Sequence, residues 1–118
     1  MSYDISLNDP VTKKVVQLDF KHELKGGTYA MYGTTEAWLN ITYNYSKFFY
    51  PLFGEEGIRS LYGKTGAEAI PILEKVIAQL GDDTDPDYWK ATEGNAKSSL
   101  LKLLALTKLR PDAIVDGD

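Results

Sequence analysis

Glu36-Ala-Trp-Leu-Asn-Ile-Thr-Tyr-Asn-Tyr45 is the stretch on which the fold turns. Read at a period of two, Leu39, Ile41, Tyr43 and Tyr45 fall on one face, and Trp38, Asn40, Thr42 and Asn44 on the other. A helix is the competing reading, but β-branched and aromatic residues interleaved with asparagine favour a strand.

Upstream, the same period recurs. Tyr3, Ile5 and Leu7 alternate with Asp4, Ser6 and Asn8, and Val16, Leu18 and Phe20 alternate with Gln17 and Asp19. Asn8-Asp9-Pro10 lies between them as a turn cluster, so the two runs predict an antiparallel hairpin with a long loop. After the break at Gly26-Gly27, Thr28 to Tyr32 reads as a short third strand.

Downstream the pattern becomes helical. Ser46 is positioned to cap a helix over Lys47 to Phe53 that Pro51 limits or kinks, and Ile58 to Tyr62 forms another turn. Thr65-Gly-Ala-Glu68 fits a capping box, followed by Ile70, Leu73, Ile77 and Leu80 at helical spacing and by Gly81 as a stop. Pro71 either kinks this helix or marks its first turn. Asp85-Pro86 opens a short turn through Trp89. Thr92 opens a last helix to about Leu109. It carries Leu100, Leu103, Leu104 and Leu106 on one side, Lys97, Ser98, Lys102 and Lys108 on the other, and Pro111 beyond it.

Strands followed by helices indicate an α+β fold, with a small antiparallel sheet of three to four strands packed against C-terminal helices. The 118 residues are expected to make one domain, strand-rich over 1–45 and helical over 46–110, with a loosely held acidic tail over 111–118.

Composition excludes several functions. There is no cysteine, hence no disulfide framework, thiolate zinc site or cysteine nucleophile. Thirteen scattered Lys and Arg against 17 Asp and Glu give a net charge of −4, without the basic footprint of direct nucleic-acid binding. An acidic surface offered to a basic partner is a less common reading of that balance. No apolar run approaches a membrane span, and the opening Met-Ser-Tyr-Asp-Ile-Ser has no basic segment, so a cytoplasmic location is expected.

Three apparent motifs fail on spacing. Gly63-Lys64-Thr65 suggests a phosphate loop, but the first glycine of that motif would fall at Ile58. Asp83, Asp85 and Asp87 alternate as in a calcium loop, yet Tyr88 and Gly94 stand where its glycine and glutamate belong. His22 is the only histidine and reads as a surface residue with no partner for a triad or metal cluster. No cofactor, metal site or catalytic residue is therefore expected.

The most informative segment remains Gly26 to Ser46. Trp38, Asn40, Thr42 and Asn44, with Thr35 and Glu36 at the strand entrance, would place an indole beside amides and hydroxyls. That set can orient a small polar ligand while the ring stacks on it. The bland alternative is a solvated face, or asparagines that satisfy loop backbone.

Gly26-Gly-Thr-Tyr29, Thr34-Thr-Glu-Ala-Trp-Leu-Asn-Ile-Thr-Tyr-Asn-Tyr-Ser46, Gly57-Ile-Arg-Ser-Leu-Tyr-Gly63 and Thr92-Glu-Gly-Asn-Ala96 resemble a family of short bacterial and phage or prophage proteins with no assigned activity. The resemblance spans nearly the whole chain. It implies no catalytic residue or ligand, but a mobile-element origin implies a small binding protein such as an inhibitor of a host-defence system. The leading expectation is thus a non-enzymatic binding module for a small polar, nucleotide-like ligand or a host protein. The alternative is an interaction domain, a homo-oligomer included, that uses the aromatic segment Tyr43 to Phe53. A hydrolase built on Glu36, Glu68 or Glu93 comes third.

Overall fold

The computed structural model describes residues 2–23 and 33–118. Strand β1 (Ser2–Asn8) is central in a three-stranded antiparallel sheet, between β4 (Trp38–Thr42) and β5 (Ile114–Gly117). The pairing sets Asp4 opposite Asn40 and Leu7 opposite Val115. One face therefore carries Tyr3, Ile5, Leu7, Leu39, Ile41 and Val115, all buried in the core. The other carries Ser2, Asp4, Ser6, Trp38, Asn40, Thr42 and Asp116.

The architecture is α+β, as the order of elements implies. Three helices follow the strands: α1 (Ser46–Phe53), α2 (Gly66–Ala78) and α3 (Glu93–Leu109). The capping box at Thr65 forms in full, with Glu68 N–H donating to Thr65 Oγ1 at 3.2 Å and Thr65 N–H donating to Glu68 Oε1 at 3.0 Å. Thr92 caps α3, and Leu100, Leu103, Leu104 and Leu106 are buried along it. Pro71 lies inside α2 rather than in its first turn.

Several expectations need correction. The hairpin between residues 3–7 and 16–20 survives only as an isolated bridge, Asn8 to Val15. Val16 donates to Leu7 O and accepts from Ala37, after which β2 (Gln17–His22) leaves to pair with β3 (Thr34–Glu36) in a separate two-stranded sheet. The reason is competition: both edges of β1 are taken by β4 and β5, which bury more apolar surface than the largely exposed β2 offers. The tail is not loose, because Val115 is fully buried and its strand pairs with β1. The third strand over residues 28–32 lies outside the described residues.

The strand over 36–45 is interrupted at Ala37 and ends at Thr42. Thr42 Oγ1 accepts from Asn44 N–H and starts a 3-10 turn over Tyr43–Tyr45 that runs into α1. The cap therefore sits at Thr42, not at Ser46. α2 stops at Ala78, before Gly81, whose N–H donates to Glu93 Oε1.

Gly63-Lys64-Thr65 serves β5. Gly63 N–H donates to Val115 O and Val115 N–H donates to Lys64 O, each at 2.8 Å, so this backbone is committed to the sheet side of the fold. The aspartate loop caps itself. Asp85 accepts from Asp87 N–H, Asp87 from Trp89 N–H, and Asp83 from Gly94 N–H.

Candidate functional site

Beside Leu39 and Asn40 of β4 lies a cleft of about 380 Å³. Among the described residues its apolar wall comes from Phe20 of β2, Leu39 of β4, and Ala105, Leu106 and Leu109 of α3. The rest of the lining comes from the polar residues His22, Glu23, Asn40, Ser99 and Lys102. Phe20 and Leu109 are 45% and 49% exposed and form a greasy rim. His22 Nε2 donates to Glu36 O at 2.6 Å, which ties the end of β2 to β3 and steadies that wall.

Closure at both ends limits what the edge can pair with. Ala37 N–H is taken by Val16 O at 2.8 Å. At the other end the Tyr88 hydroxyl accepts from Thr42 N–H at 2.9 Å and donates to Asn40 O at 3.3 Å. Only Trp38 to Asn40 lies between these closures, too short a stretch for an added strand, which typically spans about five residues.

Asn40 is the distinctive group. It is 2% exposed, and its Nδ2 donates to Ser2 Oγ and Asp4 Oδ1, both at 2.6 Å. Both acceptors belong to β1, so the amide is held against that strand. Oδ1 is buried and meets no donor among the described residues. An unpaired buried acceptor costs about 1–3 kcal/mol.

The sequence-predicted set divides. Asn40 lines the cleft. Glu36 and Trp38 line a second, shallower concavity of about 570 Å³ on the outer face of the sheet, together with Asp4, Ser6, Asp116 and Asp118. Thr35 Oγ1 donates to Gln17 Oε1 at 3.1 Å on the small sheet. Thr42 is 1% exposed and spent on capping, and Asn44 Nδ2 donates to Trp89 O at 2.8 Å. Asn44 has left the strand, so the four side chains do not share one face as expected.

The aromatic segment mostly enters the core. Tyr45 and Phe49 are fully buried, and Tyr43 packs edge-on against Tyr3 at 4.7 Å. Arg59 lies over both of those rings and donates to Tyr43 Oη at 2.9 Å. Tyr50 is the segment's exposed ring. Among the carboxylates, Glu68 is held below the usual glutamate range by Thr65 N–H, and Glu93 accepts from Gly81.

Phe20, Leu106 and Leu109 read in the sequence as ordinary strand or helix positions and His22 as a surface histidine, and only the tertiary fold brings them together. Comparisons with protein-family models, with curated proteins and with solved structures find no significant match.

Proposed function

We propose that this chain is a non-enzymatic binding module that takes a small amphipathic molecule into the cleft between β2, β4 and α3. The observation that carries this reading is the cleft itself, a concavity of ligand size with a mainly apolar wall and a few polar residues in its lining. The closed ends of the β4 edge favour a small molecule over an extended peptide. Glu68 and Glu93, two of the three candidates for hydrolysis, are engaged at helix ends, which weighs against that alternative. The resemblance to short phage and prophage proteins supports a sequestering role, with the module lowering the free level of a small signal in a host cytoplasm.

The test uses N-phenyl-1-naphthylamine, a neutral dye that fluoresces on entering apolar sites. It should bind one to one. Phe20→Ser and Leu109→Ser, both at exposed rim positions, should weaken it at least about tenfold, the loss of roughly one buried apolar side chain, without changing Tm. Absence of dye binding, or rim variants that bind as wild type, counts against the cleft.

A second reading rests on the outer concavity, where Trp38 stands among Asp4, Glu36, Asp116 and Asp118. This acidic, aromatic face suits a cationic segment of a host protein. A lysine-rich peptide should then quench Trp38 fluorescence at low salt and release at high salt. A flat response removes this reading.

A further inference from the structure

We propose that the cleft takes a straight-chain amphiphile with an anionic head, seated with its head at Lys102 and its chain running toward Leu109. This inference rests on the reading of the cleft as a small-molecule site.

The direction of α3 across the sheet carries it. Tyr88 donates to Asn40 O at 3.3 Å, and the Ser99 hydroxyl lies against the same phenol. Ser99 is thereby fixed beside the Thr42 end of β4. At its other end α3 is tied to the far end of β1, where Arg110 Nη2 donates to Asp9 Oδ2 at 3.5 Å. The helix therefore runs alongside β4 in the opposite sense, because β1 and β4 are antiparallel.

The residues α3 gives to the cleft change character along that direction. Ser99 and Lys102 are polar, whereas Ala105, Leu106 and Leu109 are apolar. Leu109 lies about 10 Å beyond Lys102 along the helix, the length of a straight chain of roughly eight carbons. Phe20 and Leu39 extend the apolar wall on the strand side.

Among the described residues the lining holds two formal charges, Lys102 and Glu23. They belong to opposite ends, since His22, next to Glu23, bonds Glu36 O upstream of β4. Lys102 is half-buried and Glu23 is exposed. Water screens the exposed charge more strongly, so Lys102 sets the sign of the head. A carboxylate there accepts a charge-assisted hydrogen bond, while a cationic head would be left to the solvated Glu23.

The test is displacement of N-phenyl-1-naphthylamine at neutral pH by decanoate, decan-1-ol and decylammonium. Decanoate should bind at least about fivefold more tightly than decylammonium, the scale of one partly screened ion pair. Lys102→Gln should abolish that preference and leave decan-1-ol within about twofold of wild type. Lys108→Gln, on α3 but outside the cleft lining, should change none of the three. Leu109→Ser should weaken decanoate and decan-1-ol alike, as loss of a chain contact does. Salt gives a readout without substitution: added potassium chloride should weaken decanoate on the wild-type chain and spare decan-1-ol. Equal binding of the two ions, tighter binding of decylammonium, or a preference for decanoate that survives Lys102→Gln overturns the proposal and leaves the cleft reading intact. No dye binding and no displacement by any of the three overturn both.

Discussion

The hydroxyl of Tyr88 closes the end of β4 by accepting from Thr42 N–H at 2.9 Å while donating to the carbonyl of Asn40. Tyr88 comes from the loop before α3 and Thr42 from the sheet, so one phenol joins the two halves of the chain. Its ring also packs edge-on against Tyr45, whose own hydroxyl donates to Tyr88 O.

Tyr88→Phe keeps the ring and removes both bonds. The N–H of the buried Thr42 is then left without a partner, and the variant should lose about 1–3 kcal/mol of stability in urea denaturation. Exchange of the Thr42 amide should accelerate in parallel. Stability equal to wild type would show that water replaces the hydroxyl.

Gly94→Ala should destabilise the chain although alanine is the better helix former. A Cβ at Gly94 would stand 2.7 Å from the carbonyl carbon of Asp83 and from Thr84 N, both backbone atoms. The loop must shift, which costs about 1–3 kcal/mol and outweighs a propensity gain of about 1 kcal/mol. A raised Tm in this variant would show that residues 82–84 move aside freely.

Alkali should unfold the protein through its buried phenols. Burial raises Tyr45, Tyr62, Tyr88 and Tyr3 above the ordinary tyrosine value of 10.0. Past that value the unfolded chain loses protons that the folded chain retains, so folded stability falls as pH rises from 10.0 toward the folded pKa values. Urea midpoints should therefore drop steadily above about pH 10. Part of the tyrosinate absorbance should appear only as the chain unfolds. Full ionisation of all eight tyrosines with the fold intact would contradict this.

Local signals were legible and long-range ones were not. Thr65 and Glu68 announce the start of α2 because a capping box is contained in four residues. The leucines of α3 announce its buried side because helical spacing is local too. By contrast, Ala113, Ile114 and Val115 are a short apolar run among aspartates. Ile114 and Val115 join a strand only because β1, more than a hundred positions earlier, offers an edge. Adjacent strands suggested a hairpin between residues 3–7 and 16–20, yet pairing went to the partners that bury more. At the site, Asn40 was identified from its strand position, but the cleft beside it draws on residues 20–23, 39–40 and 99–109, and no spacing in the sequence brings those together.

The position of β5 governs how a ribosome can deliver this protein. Until residues 114–117 leave the exit tunnel, β1 has a partner on one side only and its other hydrogen-bonding edge is bare, while Leu7 lacks the cover of Val115. The nascent chain thus carries an adhesive strand for as long as β5 is missing, and capture of that strand by β5 is the step that makes the product safe from its neighbours.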